Sequence, residues 1–133
     1  MGSMRTGLTA AGTLLIVLLV ACGGDDQVAT ADGCAHVIDG SVEALADGSY
    51  RVAATVSSAD TGWEKYADAW EVRTPDGAVL GVRVLAHPHE TEQPFTRSLA
   101  PVEIPAEVSE VALYAQDSVE GFCGESLTIA VQR

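Results

Sequence analysis

Basic residues are scarce in this chain: seven Lys or Arg stand against nineteen Asp or Glu, a formal charge of −12. Phosphate binding draws on a basic surface, so nucleic acid is excluded as an expected partner, and an anionic lipid leaflet would repel such a domain. Signatures of several enzyme classes are also missing. There is no G-x-S-x-G elbow, no H-E-x-x-H and no phosphate-cradling glycine loop. No internal repeat is visible. The apolar stretch Leu8 to Val20 would extend about 20 Å as a helix, well short of the ~30 Å hydrocarbon core of a bilayer.

That stretch carries another signature. Arg5 supplies a thin positive start, and the run rises to Leu14-Leu15-Ile16-Val17-Leu18-Leu19-Val20, the pattern of a signal-peptide core. It ends in Leu19-Val20-Ala21-Cys22, which resembles the bacterial lipobox: a branched residue, two tolerated positions ending in a small one, then cysteine. The resemblance implies a lipoprotein with residues 1–21 as its signal peptide. The Cys22 thiol would carry a diacylglycerol, and the amino group freed by cleavage would often be acylated too, by palmitate for example. An ordinary secretory signal followed by a chance cysteine is the alternative. Each buried methylene contributes ~0.8 kcal/mol and a single chain anchors only marginally, so two or three chains on one residue would make attachment durable. The implied location is the extracytoplasmic face of a membrane, on the periplasmic or extracellular side. Gly23 in place of an aspartate retention signal resembles an outer-membrane destination in a two-membrane cell.

Removal of residues 1–21 leaves six Lys or Arg against nineteen Asp or Glu, a formal charge of −13. Residues 22–33 comprise Cys22 and the polar, Gly- and Asp-rich run GGDDQVATADG, which reads as a flexible tether. Its eleven residues would reach a root-mean-square ~18 Å. With Cys22 lipidated, Cys34 and Cys123 remain in a compartment that permits disulfides, and they are expected to pair; free thiols or thiolate metal ligands are the alternatives.

Residues 34–133 are enough for one domain with one modest core. Short runs of alternating apolar and polar residues, rich in Val and separated by Gly, Pro and Asp, predict an all-β fold. The expected strands are His36 to Leu45, interrupted near Asp39-Gly40, then Tyr50 to Ser57, Ala69 to Thr74 and Val79 to Ala86. Phe95 to Glu103, irregular at Pro101, then Val108 to Gln116 and Ser126 to Val131 complete the set. Ala46-Asp47-Gly48-Ser49 and Pro75-Asp76-Gly77 are hairpin signals. Seven strands at this spacing suggest an Ig-like β-sandwich. Val102-Glu103-Ile104-Pro105 through Tyr114-Ala115, with Asp117-Ser118-Val119-Glu120-Gly121, is similar to the later strands of fibronectin type III domains. A second resemblance is to small secreted bacterial proteins of unknown function. It is carried by Gly62-Trp63, Tyr66-Ala67-Asp68, Trp70-Glu71-Val72, Asp76-Gly77, His87-Pro88-His89 and Glu92-Gln93-Pro94-Phe95-Thr96-Arg97. It implies that the His-Pro-His segment matters to the fold or to a site.

Two clusters are candidate sites. His87 and His89 flank Pro88, which favours extended backbone and so places both imidazoles on one side. Neutral imidazoles suit copper or zinc, with Glu90 or Glu92 adding oxygen or orienting a ring, and His36, an acid or a free cysteine as third ligand. The structural alternative is a polar loop whose rings cap strand ends or stack on Phe95. The second cluster runs from Asp60 to Trp70. Asp60, Trp63, Tyr66 and Asp68 would form a recognition loop for a sugar or cation, and Asp60, Glu64 and Asp68 an oxygen site for calcium, although an EF-hand's acid spacing and central glycine are absent. Trp70 is expected in the core, and Glu103, Glu107 and Glu110 on solvated faces. The leading functional expectation is a non-catalytic envelope lipoprotein that binds a protein or polymer or has a structural role. Copper or zinc binding and delivery through His87 and His89 is the alternative, and a small hydrolase the third reading.

Overall fold

A computed structural model describes residues 32–133; the expected signal peptide, Cys22 and the tether up to residue 31 lie outside the described residues. The described chain forms seven strands in two antiparallel sheets, with no helix among the described residues. In chain order they are β1 His36–Ala44, β2 Tyr50–Ser57, β3 Ala67–Arg73, β4 Val79–Val84, β5 Phe95–Val102, β6 Glu110–Asp117 and β7 Leu127–Ala130. One sheet has the order β1-β2-β5 and the other β4-β3-β6-β7.

The alternation that predicted the strands is what builds the core. Along β2 the side chains of Tyr50, Val52, Ala54 and Val56 point inward, and along β6 those of Val111, Leu113 and Ala115 meet them. Successive side chains of a strand face opposite sides, so each strand adds every second residue to the space between the sheets. Trp70 is fully buried at the centre. Glu103, Glu107 and Glu110 are exposed, as the pattern predicted.

Strand boundaries shift where hydrogen bonds override the pattern. β3 begins two residues before its expected start because Ala67 pairs with Asp117, across a register shift between Ala67 and Ala69. β6 begins two residues late because the Val108 amide closes a turn onto the Pro105 carbonyl at 3.0 Å. β4 stops at Val84, and β7 spans four residues in place of the expected six. The expected break in β1 is present as a register shift between Val37 and Asp39. At both hairpin signals the glycine takes positive φ, +87° at Gly48 and +93° at Gly77, which turns of this kind demand.

Cys34 and Cys123 are disulfide-bonded, 89 residues apart in sequence. The bridge joins the segment before β1 to the β6–β7 loop. Gly124 lies so close beneath Ala35 that a Cβ there would sit 1.9 Å from the Ala35 carbonyl oxygen. Around this crossing the Val37 amide donates to the Glu125 carbonyl and the Glu125 amide to His36 Nδ1, each at 2.9 Å. His36 Nδ1 is therefore unprotonated, and its Nε2–H faces Asp32 Oδ1 at 3.2 Å.

Candidate functional site

The registers bring both candidate clusters to one end of the sandwich. His36 pairs with Ser57, Val56 with Phe95, Ala67 with Asp117 and Ala69 with Val84. The loops 58–66, 85–94 and 118–126 therefore share the end at which the chain enters the domain beside Cys34. Loops on a rigid sandwich are where binding groups are commonly presented.

Asp60 is the hub of this end. Its Oδ1 accepts from Ser58 Oγ at 2.7 Å and from the Ala67 amide at 2.9 Å, and its Oδ2 accepts from the His89 amide at 2.8 Å. One carboxylate thus ties the end of β2, the start of β3 and the His-Pro-His segment. Gln93 completes the seam: its Oε1 accepts from the Ser58 amide at 3.0 Å, while its Nε2 donates to the His89 carbonyl at 3.0 Å and to Ser58 Oγ at 3.2 Å. The Gln93–Pro94 bond is cis. Ser58, Asp60 and His89 meet, but Ser58 donates directly to the carboxylate and no imidazole stands between them. A serine activated by histidine needs the reverse order.

The two imidazoles lie on one side, ring centroids 4.5 Å apart. His89 is buried and stacks on Phe95, with centroids 3.8 Å apart and planes 10° from parallel. Arg97 approaches His89 Nε2 at 3.1 Å and also reaches Glu92 at 3.3 Å. Arginine only donates, so His89 Nε2 must be the acceptor and the ring proton sits on Nδ1, a buried atom with no hydrogen-bond partner among the described residues. Burial above all, then the charges of Arg97 and His87, push the His89 pKa down, against the pull of Asp60 and Glu92. His87 is exposed, its Nδ1 3.0 Å from the Pro88 carbonyl, which leaves Nε2 as its open lone pair. A metal held by both rings would take His87 Nε2 and His89 Nδ1, shifting the His89 proton to the nitrogen that Arg97 faces. Among the described residues, no group of three or more His, Cys, Asp or Glu is assembled for a metal. His36, the candidate third ligand, has both nitrogens engaged beside the disulfide.

Lys65, the chain's single lysine, carries the third part of this end. Its Nζ pairs with Asp117 Oδ2 at 2.8 Å and donates to the Gly33 carbonyl at 2.6 Å. Asp117 is almost wholly buried and also accepts from the Val119 and Glu120 amides at 2.9 and 2.8 Å. Burial alone would raise its pKa; the Lys65 contact and the two amides outweigh that and lower it. Asp68, by contrast, is shifted upward, chiefly by burial and also by Asp117, and its Oδ1 is buried without a partner among the described residues. Among the described residues Asp60, Glu64 and Asp68 are not assembled as an oxygen site; the Asp60 carboxylate is turned to Ser58 Oγ and the Ala67 and His89 amides. Trp63 is 69% exposed, and its ring meets the half-buried Tyr66 edge-on at 5.7 Å. Ser58, Gln93, Lys65, Arg97 and Asp117 went unnoticed as site residues in the sequence, since each acts on a partner that only folding brings near. The one local sign was Asp117 ahead of the Ser118-Val119-Glu120-Gly121 turn, a position from which a carboxylate accepts amides two and three residues on.

No family model matches this chain, and no solved structure matches it. A protein of Halomicrobium mukohataei described as "Putative lipoprotein" is 33% identical over 95 residues, which is 71% of this chain and 46% of that protein. The chain is similar to a protein so described. It spans less than half the length of that relative.

Proposed function

We propose that the chain is a lipoprotein held by acylated Cys22 at the extracytoplasmic face of a membrane, where its sandwich has a non-catalytic binding or structural role in the cell envelope. The observation that carries this reading is the similarity to the protein described as "Putative lipoprotein", which agrees with the lipobox-like Leu19-Val20-Ala21-Cys22. The non-catalytic part draws support from the Ser58–Asp60–His89 arrangement, in which the hydroxyl is hydrogen-bonded directly to the carboxylate and His89 meets that carboxylate through its backbone amide, so the triad order Ser–His–Asp is not formed. The partner is an envelope protein or polymer. Processing should be blocked by globomycin, and Cys22→Ser should move the protein from the detergent phase to the aqueous phase. Equal membrane retention of Cys22→Ser would remove the anchor, and in-cell crosslinking that returns only background proteins would remove the partner.

The second reading, copper or zinc binding, rests on the 4.5 Å ring pair and on His89 Nδ1, which has no partner among the described residues. Arg97 opposes it by occupying Nε2, so Arg97→Gln should tighten binding if the reading holds. Calorimetry with each metal on the native chain, Arg97→Gln and His87→Ala/His89→Ala tests it, and heat absent from all three ends it.

A further inference from the structure

We infer that the loop end of the sandwich rests on the lipid surface, with Trp63 and Val119 inserted at the level of the headgroups. Among the described residues the three most exposed large hydrophobic side chains are Trp63 at 69%, Val84 at 68% and Val119 at 61%. All three lie at this one end: Trp63 on the β2–β3 loop, Val84 as the last residue of β4, Val119 on the β6–β7 loop. The two loops are fastened together. The Ser118 amide donates to the Tyr66 carbonyl at 2.8 Å, and the Tyr66 amide to Ser118 Oγ at 3.1 Å, so Val119 and the Trp63–Tyr66 ring pair flank one seam. Lys65 of the same loop holds the Gly33 carbonyl at 2.6 Å, directly before Cys34. The loop that carries Trp63 is thus fastened to the segment just before Cys34, at the same end of the sandwich as Val84 and Val119.

The inference depends on the anchor proposed above and deepens it. Eleven residues lie between Cys22 and Cys34, and even fully extended this stretch spans at most about 40 Å. An acylated Cys22 therefore tethers the domain by this end, and the ~18 Å root-mean-square reach of the linker favours it over the opposite end for contact with the bilayer. Tryptophan and tyrosine favour that boundary because an apolar ring carries a polar edge. The charge of the tip defines which lipid it suits. Glu64 and Glu120 are exposed beside Trp63 and Val119, while the single lysine is already paired with Asp117. A zwitterionic surface is the matching occupant, and an anionic leaflet would repel the same tip.

The test uses the full processed chain reconstituted in phosphatidylcholine vesicles with brominated acyl chains. Trp63 emission is obtained by difference from Trp63→Phe, since the remaining Trp70 is fully buried and serves as a constant. The expected result is a blue-shifted Trp63 signal, most of it lost to lipid bromine and little to acrylamide, that reverts to water-like behaviour when phosphatidylglycerol replaces phosphatidylcholine at low salt. Val119→Asp should weaken the bromine quenching while leaving the lipid on Cys22. Mass spectrometry of the Cys22 peptide runs in parallel. Lipid on Cys22 with Trp63 open to acrylamide and untouched by bromine overturns the inference and leaves the anchor standing. An unmodified Cys22 overturns both. Shielding of Trp63 only after an envelope extract is added would also overturn it, in favour of a protein partner.

Discussion

The carboxylate of Asp60 does for the loop end what a strand ladder does for the sheets. It satisfies a hydroxyl and two amides that would otherwise be left without partners in a crowded region. An unsatisfied buried donor costs about 1 to 3 kcal/mol, so Asp60→Ala should lower stability in urea by roughly 3 kcal/mol, and the nearly isosteric Asp60→Asn by less. Asp68 predicts the opposite sign. Its folded pKa is raised, chiefly by burial, so the ionised form is disfavoured in the fold; the penalty is present at neutral pH and disappears as pH falls through the raised folded value towards the ordinary aspartate range. Asp68→Asn should therefore stabilise the protein at pH 7 and lose that advantage below about pH 4, near the unfolded aspartate pKa, as read from urea midpoints across pH. His89 titrates in the other direction. Its depressed pKa means that the unfolded chain takes up the proton first, so stability should decline as pH drops below the unfolded histidine value of about 6.5, and His89→Phe should flatten that decline.

At the scale of elements, the seven strands were largely legible because each is a local pattern. Period-two alternation needs no knowledge of distant residues, and Asp47-Gly48 and Asp76-Gly77 announce turns that only the intervening glycine's positive φ allows. The site was legible only in fragments. His87, His89 and Trp63 draw attention by type, yet the bonds that place them cross long sequence gaps: Ser58 to Gln93 spans 35 residues and Tyr66 to Ser118 spans 52. Asp60 read as a ligand-facing acid because two of its three partners, the Ala67 and His89 amides, lie seven and 29 residues away in sequence. The same limit hid the crossing of Gly124 beneath Ala35. A methyl group there would force the β6–β7 loop away from β1, and Gly124→Ala should destabilise by about 3 kcal/mol, the upper range for an overpacked site. The unfolding midpoint in urea measures it, and an unchanged midpoint would show that the crossing relaxes freely. Reduction of Cys34–Cys123 releases the same junction; closing a loop of 89 residues limits the unfolded chain by about 4 to 5 kcal/mol, so the reduced protein should lose most of that amount.

Across the whole molecule, the arrangement is polar in the geometric sense. The disulfide, the imidazole pair and the exposed tryptophan occupy one end, while the β1–β2 and β3–β4 hairpins and the β5–β6 loop occupy the other. Acids dominate its surface, and a compact body of one charge sign repels itself. Raising salt from low to molar concentration should therefore increase the thermal midpoint. A fall instead would mean that Lys65–Asp117 and Arg73–Glu71 outweigh the general repulsion. The position of the disulfide also sets how the molecule responds to force. A pull between Gly33 and Arg133 passes from Cys34 through the sulfur–sulfur bond to Cys123, and β1 to β6 lie inside the closed covalent ring, shielded from the load. Only the residues after Cys123, with β7, can be drawn out while the bond holds.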